Sequence, residues 1–335
     1  MTKRSLGSFE VNAVGFGCMS LSHGYGVPPP RDHAERVLNR ALELGVDHFD
    51  SAALYGFGHN EELVGPFLKP YRDHIVLVSK GGLGRRNGVR TIDGRPDKLA
   101  EDLEISLRRL QTDVIDLYYL HRFDIATPVP IEDSVGALAR FVDQGKIRAI
   151  GLSEVSADTI RKASAVHPIA AVQSEYSLWS RDVEIAVLKT CARLGIAFVA
   201  FSPIARGFLT SSDMDPTAFT ENDVRRTMPR FKEPCFSENQ RLLPEFRALA
   251  EEASCTPAQL ALAWVLDQGD HVHVIPGTSS VAHLEENFAA LDVNVPRSVL
   301  ARADALVNPQ TVSGPRYPAK TQREIDTEAT DVASE

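Results

Sequence analysis

The stretch HFDSAALYG (48–56) ends an apolar, strand-like run in Asp50 and places Tyr55 five residues further on. A carboxylate at the end of a buried strand is costly unless it has a partner. Two later runs end in groups of complementary type: IVLVSK closes in Ser79-Lys80, and VIDLYYL is followed by His121-Arg122. Free tyrosine, with a pKa of about 10, is a poor proton donor or acceptor at neutral pH. An ammonium beside its hydroxyl favours the phenolate and lowers that value. Lys80 is the candidate ammonium, Asp50 the group that holds it charged and aimed, and His121 a donor that polarises a carbonyl oxygen. Together they form an acid/base set suited to a carbonyl or an alcohol. Singly, each has a plainer reading as a solvated lysine or a satisfied core histidine, so the elements that carry them decide the matter.

Short apolar runs alternate along the chain with longer amphipathic segments. Behind an N-terminal hairpin, the strand candidates are VGFGCM (14–19), DHFDSA (47–52), IVLVSK (75–80) and VIDLYYL (114–120). RAIGLS (148–153), AAVQSE (170–175), IAFVAFS (196–202) and VHVIPG (272–277) complete the set. Most are short and β-branched or aromatic, as parallel strands covered on both faces are. Between them, residues 31–45 carry Ala34, Val37, Leu38, Ala41 and Leu42 on one helical stripe, with Gly45 as a stop. Residues 95–111 have Pro96 near the first turn and arginines in the last. Ser156 with Asp158, Asp182, and Thr256-Pro257 mark further helix starts.

Strand–helix alternation without a Pro/Ser linker predicts an α/β fold, one (β/α)8 TIM barrel with an N-terminal hairpin and long C-terminal-face loops. The rival, an open doubly wound sheet, is disfavoured because no GxGxxG follows the first strand. Parallel neighbours of a barrel bring Asp50, Lys80 and His121 onto adjacent positions of one ring. Three stretches exceed the minimal barrel: the Gly-rich basic segment 81–95, the polar connection 205–236 and the polar tail. The first two follow strands and so belong on the rim where barrel active sites lie. The barrel is assigned to residues 1–306 and the tail to 307–335, its end read as disordered.

Composition narrows the class. The chain has 335 residues, 43% hydrophobic and 24% charged, which is ordinary for a globular protein. A net charge of −9, with no basic stripe of interleaved aromatics, argues against nucleic acid as a partner. No apolar run approaches the roughly 18 residues of a membrane span, and MTKRSLGSFEVN has no apolar core of a signal peptide. Cys18, Cys191, Cys235 and Cys255 show neither CxxC nor metal-ligand spacing and read as free thiols. The expected setting is the cytoplasm, as a monomer or a homo-oligomer, with no metal and no membrane partner.

FDSAALYG, VSKGG and YYLHR, in that order, resemble the catalytic segments of the aldo-keto reductases, a family of NAD(P)H-dependent barrels. The likeness runs from GFGCMSL (15–21) to IPGTSSVAHLEENFAA (275–290). HNEELVG (59–65), FSPIARGFLT and PRF are similar to the bacterial and plant branch that reduces assorted aldehydes and ketones. The resemblance implies Tyr55 as proton donor, Lys80 and Asp50 as the groups that tune it, and His121 as the orienter of a small-molecule carbonyl. It implies direct hydride delivery from the nicotinamide, whose amide would meet Ser153 and Gln173 and whose ring would stack on Phe201. Met19 and Asp50 belong to the same cofactor wall. Ser202, Ile204 and Arg206 would line the pyrophosphate path, Gly277, Ser279 and His283 the adenosine phosphate, and Glu286 and Asn287 the adenine.

The sequence departs from that pattern in places. Glu154 follows Ser153 where many members have Asn, and is expected beside the nicotinamide carboxamide. The segment Gly277-Thr278-Ser279-Ser280 and His283 lack the lysine or arginine that usually meets a 2′-phosphate. The resemblance implies NADPH as the cofactor, while these missing cations leave NADH possible and imply a modest preference that strengthens below about pH 6.5 as histidine protonates. Ser51 replaces a frequent Thr, a small change. Arg85, Arg86, Arg90 and Arg95 either attract an anionic or phosphorylated substrate or decorate a solvated loop. Tyr25, Phe123, Trp179 and Met228 are candidate pocket walls. Two other functions fit less well: a nicotinamide-sensing regulatory barrel, and a hydrolase pairing Asp50 with Glu154, which leaves Lys80 and Tyr55 unexplained.

Overall fold

The computed structural model describes residues 3–22, 24–86, 89–125 and 129–329. The chain opens with an antiparallel hairpin, β1 (Arg4–Leu6) and β2 (Phe9–Val11). Barrel strands β3 (Phe16–Gly17), β4 (His48–Asp50) and β5 (Val76–Gly81) follow, and then a second hairpin, β6 (Leu83–Arg86) with β7 (Val89–Ile92). The remaining barrel strands are β8 (Ile115–Leu120), β9 (Ile147–Ser153), β10 (Ala171–Glu175), β11 (Ala197–Phe201) and β12 (Val272–Val274). Eight strands run β3-β4-β5-β8-β9-β10-β11-β12, with parallel pairing throughout. A parallel bridge from Val14 to Val274 closes the ring, with Gly15 N donating to Val274 O at 2.9 Å and Val274 N to Ala13 O at 2.8 Å. All eight expected strands are present, so the TIM barrel stands.

Helices wrap the outside: α1 (Arg31–Glu43), α2 (His59–Leu68), α3 (Pro96–Leu110), α4 (Ile131–Asp143), α5 (Ala157–Val166) and α6 (Val187–Leu194). Later come α7 (Cys235–Gln240), α8 (Leu243–Glu252), α9 (Pro257–Leu266), α10 (Val281–Phe288), α11 (Arg297–Leu306) and α12 (Ala319–Gln322). The local signals act as read. α1 buries Ala34, Val37, Leu38 and Ala41, Ser156 caps α5 by accepting from Thr159 N, and Thr256 and Gln259 form a capping box on α9. Asp182 instead starts a short 3-10 turn, Asp182–Glu184, ahead of α6. No helix among the described residues is long and apolar enough to cross a membrane.

Two apolar cores result. The larger lies between sheet and helices; the smaller fills the barrel with Val76, Val78, Leu117, Tyr119, Ala149 and Val199, against which the first hairpin packs Leu6 and Val11. Burying a leucine and a valine contributes about 1.5–3 kcal/mol each, which is enough to hold a two-stranded plug in the barrel floor. The opposite end is where the extra segments collect. Residues 205–236 cross it in short turns that include Ala205–Gly207 and Val224–Thr227. The segment from 307 to 329 folds back over it, with Arg316, Tyr317, Ile325 and Thr327 all buried. Residues 330–335, where disorder was expected, lie outside the described residues.

Candidate active site

Inward positions alternate along a strand, and along each barrel strand they change from apolar to polar. β5 contributes Val76, Val78 and then Lys80; β8 contributes Leu117, Tyr119 and then His121 just past its end. In the same way β9 ends in Ser153, β10 continues through Gln173 to Glu175, and β11 ends in Phe201. Register sets these ends side by side, with Lys80 opposite Tyr119 and Gln173 between Ser153 and Val199. Gly151 faces Tyr119, and a Cβ there would lie 2.4 Å from the tyrosine ring. Only glycine admits that ring below the polar layer.

The four candidate residues meet in this layer. Lys80 Nζ donates to Asp50 Oδ1, to Ser51 O at 2.9 Å and to Tyr55 Oη at 3.2 Å. Gln173 Nε2 donates to the other carboxylate oxygen of Asp50 at 2.7 Å. A turn brings Tyr55 over the strand ends, with Tyr55 N donating to Ala52 O and Ala53 N to Lys80 O. The rings of Tyr55 and His121 meet edge to face at 5.9 Å. Ser51 donates to Asn60 Oδ1 at 2.6 Å, a buried bond that fixes the strand end beneath.

Electrostatics in the layer is set by burial first. Burial works against the Lys80 ammonium, but Asp50 and Tyr55 outweigh it and raise its pKa. Burial likewise pushes the Tyr55 phenol above its ordinary value, and here Lys80 opposes without prevailing. This corrects the expectation of a lowered tyrosine pKa: desolvation of the phenolate exceeds the pull of the ammonium. Burial also holds His121 well below the usual histidine range, helped by Lys80, Arg122 and Arg90. The result is a protonated phenol, a charged lysine and a neutral imidazole at pH 7.

A cavity of about 520 Å³ opens over this layer. Asp50, Tyr55 and His121 line it, while Lys80, fully buried, lies behind the wall. Met19, Ser153, Gln173, Phe201, Ser202, Ile204, Arg206, Gly277, Ser279, His283, Glu286 and Asn287 all line the same cavity, as does Tyr25. Gly277 and Gly17 approach so closely that a Cβ on Gly277 would lie 2.6 Å from Gly17 O. Ser280 caps α10 by accepting from His283 N, so that helix starts at the cavity edge. A helix N-terminus flanked by serine and threonine hydroxyls suits a phosphate. An aromatic face at Phe201, carboxamide partners at Ser153 and Gln173 and this phosphate end fit a nicotinamide dinucleotide.

Three expected walls are elsewhere. Trp179 stacks on Phe208 at 4.7 Å and is 3% exposed, Met228 is buried, and Phe123 packs half-buried against the outer core; none lines the cavity. Apolar side chains on a rim pack wherever volume is open, and sequence alone does not distinguish wall from core. Glu154 is also displaced. Its backbone is left-handed (φ 57°), and its carboxylate accepts two bonds from Arg316, at 2.9 and 2.6 Å, and one from Glu175 N. It therefore does not reach the nicotinamide position. Arg206, expected along the pyrophosphate, lines the cavity and is paired with Glu175 at 2.5 Å. Burial pushes the Glu175 carboxyl up, but Arg206 and Arg316 outweigh it and hold it far below the carboxylate range.

Residues missed in the sequence include Tyr317, which lines the cavity and donates to Glu175 Oε2 at 3.0 Å, and Arg225, Leu54 and Leu83. The only trace of the first was an Arg-Tyr pair in an otherwise polar tail. Of the basic hairpin, Arg85 lies over the Phe57 ring at 4.4 Å, Arg95 is paired with Asp93, and Arg90 is the one described side chain of the four that lines the cavity. The side chain of Arg86 lies outside the described residues.

Comparison with known proteins agrees with this geometry. The Aldo/keto reductase family matches residues 13–308. A Schizosaccharomyces pombe protein described as the NADP(+) aldo-keto reductase yakc is 43% identical over 322 residues, covering 94% of both chains. Among solved structures, the glycerol dehydrogenase of Gluconobacter oxydans superposes with a TM-score of 0.83 at 29% identity, covering 95% of this chain and 98% of that one. An aldo/keto reductase from Klebsiella pneumoniae, solved in complex with NADP and acetate, gives 0.71 at 27% identity, covering 95% and 99%.

Proposed function

The chain belongs to the aldo/keto reductase family, and from that premise we propose that it is an NAD(P)H-dependent reductase of aldehydes and ketones with Tyr55 as proton donor. The observation that carries this reading is the hydrogen-bonded chain Asp50–Lys80–Tyr55, which runs from the buried Asp50 and Lys80 into a cavity shared with His121, Ser153, Gln173 and Phe201. When bound, the reduced nicotinamide supplies the hydride to the carbonyl carbon. The protein's own share is to position the carbonyl and deliver a proton. Neutral His121 offers an N–H to the carbonyl oxygen, and Tyr55 Oη holds the proton that this oxygen takes up as charge develops on it. Lys80, 3.2 Å from that hydroxyl, stabilises the phenolate left behind, and Asp50 keeps the ammonium charged and aimed.

Support for NADPH comes from relatives described with NADP. Between Gly277 and Asn287 no lysine or arginine lines the cavity, and His283 is the basic residue there. That supports modest discrimination against NADH. Cofactor oxidation across a panel of carbonyl compounds, run with NADPH and with NADH, tests the proposal. Tyr55→Phe should lose roughly 100- to 10,000-fold in turnover while still binding cofactor. Because Tyr55 stays phenolic, its ionisation should leave the wild-type reduction rate unaffected up to about pH 10. Full turnover by Tyr55→Phe would refute the assignment. Tight cofactor binding with no carbonyl reduced would favour a regulatory, nicotinamide-sensing barrel instead.

A further inference from the structure

Around Tyr55 and His121 the cavity carries one positive charge that enters no ion pair among the described residues. Leu54, Leu83, Arg90 and Arg122 line it with them. Arg90, from β7, is paired with Glu324 of the C-terminal segment, and Lys80 is paired with Asp50. Farther along the cavity, Arg206 and Arg225 are paired with Glu175 and Asp223. Arg122 differs from all of these. Its Nη1 donates to the carbonyl of His121 at 2.9 Å and to Ser153 Oγ at 3.1 Å, and among the described residues it enters no ion pair. Those two bonds fix the guanidinium and leave its Nε–Nη2 edge without an acceptor among the described residues. That edge is the fork a carboxylate occupies bidentately. The fork fits the paired oxygens of a carboxylate or a phosphate, and a single charge left unpaired among the described residues matches a monoanionic carboxylate better than a dianionic phosphate.

We propose that the substrates are carbonyl compounds that also carry a carboxylate, held by Arg122 while the carbonyl lies against Tyr55 and His121. The leucines Leu54 and Leu83 would enclose the apolar span between the two groups. This inference rests on the reductase reading above and goes beyond it by naming the substrate class.

The test compares the three carboxybenzaldehyde isomers with their methyl esters, which keep shape and lose charge. For the wild-type enzyme with NADPH, kcat/KM for at least one acid should exceed that of its ester by about tenfold to a hundredfold, the range of a charge-assisted bond. The ratio should fall with added salt. In Arg122→Met it should collapse to near one, carried mainly by KM of the acid, whatever general loss the variant suffers. The ratio within one variant cancels damage to Ser153 or to folding. Esters reduced as well as every acid, or an acid-to-ester ratio unchanged in Arg122→Met, would overturn the inference and leave the reductase reading intact. No cofactor oxidation with any of these aldehydes, while neutral carbonyls elsewhere on the panel are reduced, overturns the inference alone. No oxidation with any carbonyl overturns both.

Discussion

Replacing Arg316 by glutamine tests whether the C-terminal segment holds the rim together. Arg316 and Glu154 are 5% and 0% exposed at their side chains and share two bonds of 2.9 and 2.6 Å. Removing one partner of such a pair costs about 3–5 kcal/mol, because the other charge stays buried and unopposed. Glu175 loses less, since Arg206 remains on it. Unfolding entropy of roughly 2.1 cal/mol/K per residue, over 335 residues, gives about 0.7 kcal/mol/K. The melting midpoint should therefore drop by about 4–7 °C. Glu154→Gln alone keeps the shape and leaves Arg316 on Glu175 at 3.0 Å, so it should cost only about 1–2 kcal/mol. In the double variant the stranded carboxylate is gone, and roughly 2 kcal/mol, or about 3 °C, should return. Calorimetry on the four proteins reads the cycle directly. Arg316→Gln melting within about 1 °C of wild type, or no recovery in the double variant, would refute the reasoning.

Two further outcomes follow from the same geometry. His283→Arg should raise the NADPH-to-NADH ratio of kcat/KM about tenfold by giving a 2′-phosphate a permanent cation; a ratio within about twofold of wild type would show that another group reads this position. Acid should weaken the fold early, because burial lowers His48 to about 3 and His273 to about 4. Both are neutral when folded and bind a proton when unfolded below the ordinary value of 6.5, so their contribution is complete above that pH and is lost as pH falls. Each should remove up to about 1.4 kcal/mol per pH unit between pH 6 and pH 4, with Glu175 adding its share only below its ordinary 4.5. Urea unfolding at pH 7, 6 and 5 measures this, and equal stability at all three would contradict it.

The barrel and its polar layer were legible because both rest on local signals. Each strand announces itself by a short β-branched or aromatic run, and each functional residue sits at the end of one, as Lys80 does on β5. The cofactor-side residues followed from matched segments of the same kind. What stayed hidden depends on groups far apart in the chain. Glu154 looked like a cofactor neighbour because its cation stands 162 residues away. Tyr55 looked like an acidified phenol because proximity to Lys80 is visible in the pattern of strand ends, whereas the depth of burial that outweighs it is not. Trp179 and Met228 looked like walls because a large apolar residue near the rim has no local mark that separates lining from packing.

The return of the C-terminal segment also sets an order of events during synthesis. Glu154 and Glu175 are made 162 and 141 residues before Arg316. At roughly 5–20 residues per second, they spend at least about 7 to 30 s on the ribosome without that guanidinium. All eight barrel strands are available before it arrives, yet Glu154 still lacks its cation and Glu175 has only Arg206. The nascent barrel can therefore close while its mouth stays hydrated and unset. Completion of the cavity mouth thus waits for residue 316, and chains that stop short of it are left with a ring but no finished mouth.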